Sequence, residues 1–473
     1  MRILGTLTKR LEDIGQRFTV EVFGRDTQPL IENALKKHGK LLQRKSKLTP
    51  VLTMWVVLGL CLRREISYKN TLVWLLAGLR SRGLEGPRDP VADGTITHAR
   101  KRIGVGVLRD LFQGTAAKVS DLAADFYGFL TLAVDGTTMT MPDTPKNSER
   151  FGRPGTGRGK AAFPQARVVA MVATAVHLIF DVAMGPYVGK GTGEPTLAIQ
   201  LILKNAREGI LFLLDKGFYG FDLLDAILQR GAAFIVAVPD HVKLKPIRKS
   251  RQPDGSYLAW LEAKVEDPAG PSPHGRKRWK KVRRKVRVIE YQIPGFLRRR
   301  IATSLLDFNI PARDLVRHYH RRWEIELAYD ELKTHQCARR TGQCPTILRS
   351  KLPELVEQEI YGMLTVYNLL RDLINEAARK HELDPLSISF VDALQTILDA
   401  IPILGAAPAQ RLRELYERLL DDIAECTMRH WRRPRAYPRV VKVKMSNFER
   451  KKPQNVGGHR DFNADMQILG EAA

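Results

Sequence analysis

The segment ILFLLDKGFYG, residues 210–220, indicates the fold class of this chain. Its first five residues are apolar and have the length of a buried strand, and Asp215 follows them directly. Residues 221–230 are then typical of a helix and residues 234–238 of another strand. A strand, helix and strand in this order predict an α/β sheet with helices on its faces.

The chain before this segment extends the same pattern. Residues 129–134 (FLTLAV) form an apolar run of strand length that leads to Asp135. Residues 166–176 and 178–184 predict two more strands, and residues 196–207 predict a helix. The order of three strands, helix, strand, helix and strand predicts a mixed α/β sheet.

Residues 239–300 interrupt this alternation. They are rich in Pro and Gly, and they contain 18 Lys or Arg against six Asp or Glu. Strand-like stretches at 257–265 and 286–293 suggest an inserted, mostly β, basic subdomain. The α/β pattern resumes at 301–306, and a long helix is expected from about Ala312.

The composition points to a polyanionic partner. The 473 residues contain 77 Lys or Arg and 51 Asp or Glu, which gives a net charge of +26 and a pI near 10.0. The longest apolar run, residues 51–62, is shorter than the roughly 20 residues of a membrane-spanning helix, so a core helix is expected. No signal peptide is recognisable at the amino terminus. A cytoplasmic protein that binds nucleic acid, and not a membrane, is therefore expected.

The sequence gives no indication of a nucleotide-binding loop or of a disulfide framework. Gly159-Lys160 and Gly189-Lys190 both lack the spacing of a Walker A loop, so no nucleotide cofactor is expected. The four cysteines contain no CxxC pair and are too few for a disulfide framework.

Two aspartates are candidate metal ligands. Asp135 and Asp215 each follow an apolar strand, where a rigid scaffold would hold a carboxylate at the edge of the sheet. Two carboxylates on neighbouring strands can bind a hard cation such as Mg²⁺. An aspartate at a strand end is also common as a plain turn residue, and the spacing alone does not exclude this alternative.

The expected helix carries a more specific pattern in residues 319–333, YHRRWEIELAYDELK. At about 100° per residue, Tyr319, Arg322, Glu326 and Lys333 share a stripe about 60° wide and roughly 21 Å long. A carboxylate flanked by a phenol, a guanidinium and an ammonium suits a metal-bound phosphodiester. The alternative is a solvated helix face in which Arg322 and Glu326 form an i,i+4 pair.

These residues resemble the signature Y-(2)-R-(3)-E-(6)-K of the DDE transposases of bacterial insertion sequences, in the IS-four family. Tyr319, Arg322, Glu326 and Lys333 match it at every spacing. Further segments are similar to the family as well, namely DGT at Asp135, DKGFYG at Asp215, AAFPQARV at 161–168 and PRVVKVKM at 438–445.

The resemblance implies an RNase H-like sheet and assigns roles to the candidate residues. Asp135, Asp215 and Glu326 would be the catalytic residues and would hold two Mg²⁺ ions, for which Mn²⁺ can substitute, about 3.5–4 Å apart. The residues that would bind DNA phosphates are Tyr319, Arg322 and Lys333. In relatives a DNA hairpin forms and a flipped base stacks on a Trp of the insertion. The candidates for that contact are Trp260 and Trp279, although a Trp at those places is more often a core or hairpin residue.

The resemblance also implies a division of the chain into regions. These are a helical DNA-binding region (1–128), the catalytic core (129–238 and 301–350), the β-rich basic insertion (239–300) and a helical region with a basic tail (351–473).

The expected function is cut-and-paste DNA transposition at terminal inverted repeats, with endonuclease and strand-transfer activity. The partners would be double-stranded DNA and a second copy of the chain, near the bacterial nucleoid. The alternatives are a captured DNA-binding protein or repressor that no longer cuts, and a nuclease of the same fold that cuts without joining. The joint presence of three carboxylates favours the enzyme.

Overall fold

The computed structural model describes residues 27–41, 48–80, 91–156, 159–266, 279–336, 347–428, 435–436 and 460–471. Its α-helices are α1 (Thr27–Lys37), α2 (Pro50–Leu62), α3 (Tyr68–Arg80), α4 (Asp93–Ile103), α5 (Val105–Ala116), α6 (Pro145–Phe151), α7 (Glu194–Asn205), α8 (Phe221–Gln229), α9 (Ala312–His320), α10 (Glu324–Asp330), α11 (Pro353–Lys380), α12 (Phe390–Ala406), α13 (Leu412–Glu425) and α14 (Phe462–Asp465). Its strands are β1 (Leu130–Thr140), β2 (Gly155–Thr156), β3 (Gly159–Lys160), β4 (Gln165–Ala173), β5 (Ile179–Pro186), β6 (Ile210–Leu214), β7 (Ala233–Ala237), β8 (Tyr257–Glu266), β9 (Trp279–Gln292), β10 (Arg299–Thr303), β11 (Arg435–Ala436), β12 (Arg460–Asp461) and β13 (Gln467–Ile468).

The chain divides into two compact units. Unit 1 consists of Met1–Leu122, Asp135–Leu201 and Glu324–Met428, and unit 2 consists of Ala123–Val134, Ile202–Trp323 and Arg429–Ala473. Strand β1 contributes its first five residues to unit 2 and the remainder to unit 1.

The core of unit 1 is helical. The long helix α11 packs against α2 and α5. Helix α2 is buried on all sides from Leu52 to Leu62, which confirms the core helix expected at residues 51–62. It begins where the Thr49 hydroxyl accepts a hydrogen bond from the Leu52 amide at 3.2 Å, with Pro50 in the first helical position.

Unit 1 also contains the antiparallel hairpin of β4 and β5. The side-chain amide of Asn368 on α11 bonds both the amide and the carbonyl of Ile179, each at 2.9 Å. A side chain of the long helix thus satisfies backbone groups at the start of β5, where buried polar groups need partners.

Unit 2 contains parallel and antiparallel strand pairs. The start of β1 pairs in parallel with β6, from Leu130 opposite Ile210 to Ala133 opposite Leu213, and β6 pairs in parallel with β7. Strand β10 lies antiparallel between β7 and β9, and β13 pairs with the end of β9. The mixed sheet, together with helices at both ends of the chain, confirms the predicted fold class.

The predicted insertion contains the long antiparallel pair of β8 and β9. Arg287 of β9 is fully buried and donates to the carbonyls of Asp307 and Ile310 at 2.8 and 2.7 Å, and it forms an ion pair with Asp254. The Asp254 carboxylate also accepts from the Ala312 amide at 3.1 Å. The insertion is therefore tied to the first turn of α9 within unit 2.

The strands and helices predicted between β1 and β7 are all present in the predicted order, but α6, β2 and β3 also lie between β1 and β4 and were not predicted. Two further details were wrong. Strand β1 does not end at Asp135 but continues to Thr140, and the long helix expected from Ala312 is interrupted twice. The segment at residues 438–445, which resembles the family, lies outside the described residues. No helix in the described ranges has the length and apolarity to cross a membrane.

Candidate active site

Asp135 lies at the point where β1 changes from buried to half-buried. Residues 132–134 have no exposed surface, whereas residues 135–138 are all partly exposed. The Asp135 carboxylate accepts a hydrogen bond from the Gly136 amide at 2.9 Å. The apolar run of β1 thus places a carboxylate at the surface within the strand, and not after it as the sequence suggested.

Asp215 follows β6 directly, as predicted. It occupies the N-cap position of a short 3₁₀ turn, Lys216–Phe218, and is half-buried. The last recorded pair in the parallel register of β1 and β6 is Ala133 with Leu213. Asp135 and Asp215 each stand two residues beyond that pair in the sequence.

The predicted helix is not regular. A 3₁₀ turn, Arg321–Trp323, follows α9, and a π turn, Glu331–His335, follows α10. A 3₁₀ residue turns about 120° and an α-helical residue about 100°, so the uniform projection over residues 319–333 was wrong. The positions of Glu326 and Lys333 must be taken from the contacts instead.

Tyr319 and Arg322 are both buried in unit 2, with 9% and 7% of their surfaces exposed. The Tyr319 hydroxyl donates to the carbonyl of Leu214, the residue before Asp215, at 3.1 Å. Burial raises the pKa of Tyr319 although the positive charge of Arg322 opposes this. The Arg322 guanidinium lies over the Trp323 ring at 4.8 Å.

Glu326 and Lys333 belong to unit 1, and contacts hold their helix against β1. Lys333 Nζ donates to the Thr137 hydroxyl at 2.9 Å, two residues beyond Asp135. Glu326 itself is exposed.

Tyr329, which the sequence analysis did not single out, makes the closest link between this helix and Asp135. Its hydroxyl donates to the Asp135 carbonyl at 2.7 Å and accepts from the Ala170 amide at 3.0 Å. Burial raises the pKa of Tyr329 well above its usual value, and the negative charge of Asp135 adds to this. The phenol therefore stays protonated and able to donate.

Glu194 is a further residue that the sequence analysis missed. A Cβ atom added at Gly136 would lie only 2.6 Å from Glu194 Oε2, so this carboxylate lies directly against the glycine after Asp135. Arg167 Nη1 is 3.8 Å from the same oxygen. The glycine of the DGT segment gives an indirect sequence signal, because a residue without a side chain permits this close approach.

A buried histidine also contacts the α10 region. His177 has no exposed surface, and its two ring nitrogens face Glu324 and Glu331. Arg371 and Tyr367 of α11 complete this buried polar network around Glu331. Its members are far apart in the sequence, and we found no sequence pattern that predicts it.

The two tryptophans of the insertion are exposed on one face of the β8–β9 pair. Trp260 lies opposite Lys285, and Trp279 lies opposite Glu266. Because every second residue of a strand faces the same side, both tryptophans lie on the same face of the pair. Their exposed fractions are 36% and 59%. Arg283 lies 5.9 Å from the Trp260 ring centre, which makes this face both aromatic and basic.

The chemistry of the predicted donor set suits a hard divalent cation, because all three predicted ligands are carboxylates. Across the described ranges, no three His, Cys, Asp or Glu side chains stand as a group that could hold a metal ion. The assignment of Asp135, Asp215 and Glu326 as ligands therefore stays a prediction.

Comparisons with known proteins agree with the resemblance. Residues 127–369 match the family described as Transposase DDE domain, and residues 20–113 match Insertion element 4 transposase N-terminal. The chain is 32% identical over 422 residues to Transposase InsG for insertion sequence element IS4 of Escherichia coli (strain K12), which covers 87% of this chain and 89% of that protein.

A solved structure is similar at a much lower level. It is the piggyBac transposase synaptic complex with hairpin DNA, with a TM-score of 0.41, 10% identity and coverage of 86% of this chain and 84% of that chain. No argument rests on this structure, because the TM-score is low. The two family matches and the similarity to the Escherichia coli protein show that the chain belongs to the insertion-sequence transposases with a DDE domain.

Proposed function

We propose that this chain is the transposase of its own insertion element, which cuts DNA at the terminal inverted repeats and joins the ends to a target. The observation that carries the proposal is the attachment of the Glu326 helix to β1. Tyr329 bonds the Asp135 carbonyl and Lys333 bonds Thr137, so one carboxylate-bearing helix is fixed beside one carboxylate-bearing strand. A family signature alone would not require these contacts.

In this proposal Asp135, Asp215 and Glu326 are the catalytic carboxylates and hold divalent cations, two Mg²⁺ ions or Mn²⁺ in their place. When bound, such ions stabilise the attacking and leaving oxygens of an in-line displacement at phosphorus. The strands β1 and β6 hold Asp135 and Asp215, and α10 presents Glu326. Arg322 and Lys333 supply positive charge for the DNA phosphates.

The proposal gives Tyr319 a different role from the DNA phosphate contact that the sequence predicted. Its hydroxyl already donates to the Leu214 carbonyl, and its side chain is almost fully buried. We therefore expect Tyr319 to position Asp215 through the backbone of the preceding residue. Its predicted contact with a DNA phosphate is tested below.

Two surfaces are proposed to bind the element ends. Helix α4 exposes His98, Lys101 and Arg102. The β8–β9 face carries Trp260 and Trp279 with several Lys and Arg residues, and it suits stacking on a base and contact with phosphates. A hairpin intermediate with a base stacked on one of these tryptophans is part of the proposal.

The experiment uses a labelled duplex of the sequence that flanks the gene, with Mg²⁺ or Mn²⁺. Glu326→Gln removes one charge with little change in shape, and we expect it to abolish cleavage while the Kd for DNA stays within about twofold. Asp330→Asn, an exposed carboxylate on the same helix, is the matched control and should cleave normally. Equal cleavage by Glu326→Gln and the wild type would contradict the assignment.

The same assay separates the alternatives. DNA binding without cleavage under either metal would indicate a captured DNA-binding protein. Cleavage without products joined to a second duplex would indicate a nuclease. A strand of doubled length on a denaturing gel would reveal the hairpin.

We also propose that two copies act together, because both ends of an element must be held in one complex. Mass measurement of the complex should give two chains with two DNA ends, and a complex of a single chain with a single DNA end would contradict this. DNA as the substrate implies a cytoplasmic location at the nucleoid.

A further inference from the structure

The buried network around His177 lies within unit 1 and has no part in the proposed chemistry. His177 stands in the turn between β4 and β5 with a φ of 59°, a left-handed conformation. Its Nε2 atom is 2.8 Å from Glu324 Oε2, and its Nδ1 atom is 3.2 Å from Glu331 Oε2. One imidazole thus contacts both ends of the α10 segment.

The other partners of Glu331 fix the charges in this network. Arg371 Nε donates to Glu331 Oε2 at 2.9 Å, and the Tyr367 hydroxyl donates to the same oxygen at 2.8 Å. Burial alone would raise the pKa of Glu331, but the positive charge of Arg371 and the neighbouring His177 imidazole hold it far below its usual value. Glu331 is therefore a carboxylate at any pH at which the enzyme would work.

Arg371 also indicates which imidazole nitrogen carries the proton. Its Nη2 atom is 3.0 Å from His177 Nδ1. Because a guanidinium can only donate, Nδ1 accepts in the neutral ring, and the ring proton is then on Nε2. In a doubly protonated ring Nε2 carries a proton as well. In both forms Nε2–H donates to Glu324, so this hydrogen bond is the constant feature.

The contact with Glu324 sets the rotation of α10. Glu324 precedes Glu326 by two residues, and these side chains are separated by about 200° around the helix. The Glu324 side chain is drawn towards the buried His177 and is 21% exposed, whereas Glu326 is exposed. Anchoring Glu324 inward therefore turns Glu326 outward, and the hydrogen bonds that Arg371 and Tyr367 donate to Glu331 fix the segment at its other end.

We propose that His177 is a positioning residue for the transposase reaction, which orients Glu326 through its Nε2–H bond to Glu324. The inference rests on the proposed function, since it matters only if Glu326 is catalytic. It also explains why Glu326, and not the nearby Glu324, is presented for the reaction.

Two variants of His177 provide a matched pair. In His177→Gln the amide nitrogen reaches the place of Nε2 and can still donate to Glu324. In His177→Asn the shorter amide reaches only the place of Nδ1 and leaves Glu324 without this donor. Asn tolerates a positive φ better than Gln, so a purely structural role predicts that His177→Asn is the better variant.

The measurements are the single-turnover cleavage rate of the flanking duplex at saturating protein, the Kd for that duplex, and the Tm. We expect His177→Gln to cleave within about fivefold of the wild type and His177→Asn about 30- to 100-fold more slowly, since small misplacements have effects of this order. Both Kd values should stay within about twofold, and His177→Asn should have the higher Tm.

A second pair tests the same hydrogen bond from the other side. Glu324→Gln keeps an acceptor oxygen and should cleave like His177→Gln, whereas Glu324→Leu should cleave like His177→Asn. The proposal would be overturned if His177→Asn, the variant with the higher Tm, also cleaved faster than His177→Gln. It would also be overturned if the cleavage rates fell in parallel with the affinity for DNA.

Controls separate this inference from the proposed function. If the wild type cleaves, Glu326→Gln does not, and the two His177 variants are equal, only the positioning role is wrong. If Glu326→Gln cleaves like the wild type, the catalytic assignment fails and the inference fails with it.

Discussion

At the residue scale, α9 carries a histidine that the protein keeps uncharged. His318 is 5% exposed, it stacks on Phe126 with ring centres 3.8 Å apart, and Nε2 is 2.7 Å from the Thr131 hydroxyl. Burial lowers the pKa of His318 to about 3, and the charge of Arg321 adds to this. The unfolded chain binds a proton more readily at this position than the folded chain does.

This difference predicts an acid-dependent loss of stability. The stabilising contribution of neutral His318 is fully present above the unfolded pKa of 6.5 and is lost as pH falls towards about 3. From pH 6.5 to about pH 4.5 the loss should be about 2 kcal/mol. Urea unfolding at both pH values checks this, with His318→Gln as the variant that lacks this part of the pH dependence. An equal loss in both proteins would contradict the prediction.

Tyr319→Phe tests the function of the buried phenol. The change leaves the Leu214 carbonyl without its donor, and we expect a loss of about 1–2 kcal/mol in the free energy of unfolding. A positioning role predicts slower cleavage with an unchanged Kd for DNA. A weaker Kd without loss of stability would support the phosphate contact that the sequence suggested.

At the scale of elements, the π turn Glu331–His335 begins at a residue that is bonded to two side chains of α11, Arg371 and Tyr367. Arg371 and Glu331 are both buried, with 1% and 5% exposure. A buried ion pair contributes little in itself, but removal of one partner leaves an uncompensated charge.

Arg371→Met should therefore lower the free energy of unfolding by about 3–5 kcal/mol, whereas the double variant with Glu331→Gln should recover more than half of the loss. Arg150→Met is the control, because Arg150 pairs with Glu357 at the surface of α11 and should cost less than about 1 kcal/mol. Urea unfolding measures all three. A double variant as unstable as Arg371→Met would exclude the charge explanation.

The elements differ in how far the sequence predicts them. Strands β1 and β4 to β7 and helices α7 and α8 were predictable because each of these strands contains an apolar run and each of these helices is longer and amphipathic. Helix α6 and the two-residue strands β2 and β3 were not predictable, because they contain no apolar run. The end of β1 was not, since the apolar run stops at Asp135 although strand pairing continues. The π turn was not either, because Glu331 depends on Arg371, 40 residues away, and on His177, 154 residues away. The family signature points to Glu326 but not to the residues that, in our proposal, orient it.

At the scale of the whole molecule, we expect the net charge of +26 to dominate the interaction with DNA. Cationic side chains that contact phosphates displace bound counterions, so affinity falls as salt rises. We expect the Kd for a mixed-sequence duplex to rise at least about tenfold from 50 to 200 mM salt. Fluorescence anisotropy measures this, and a Kd that does not change with salt would contradict a phosphate-dominated contact.

The two hydrogen bonds of the Tyr329 hydroxyl limit which residues can replace this tyrosine in related proteins. Its hydroxyl joins a carbonyl of β1 to an amide of β4, where a neighbouring strand would ordinarily supply both partners. Replacement of a buried tyrosine by phenylalanine is often tolerated. Here it would leave two backbone groups, the carbonyl and the amide, without their hydrogen-bond partner. Natural variation should therefore be narrower at this uncharged, non-reacting residue than at many of the charged residues around it.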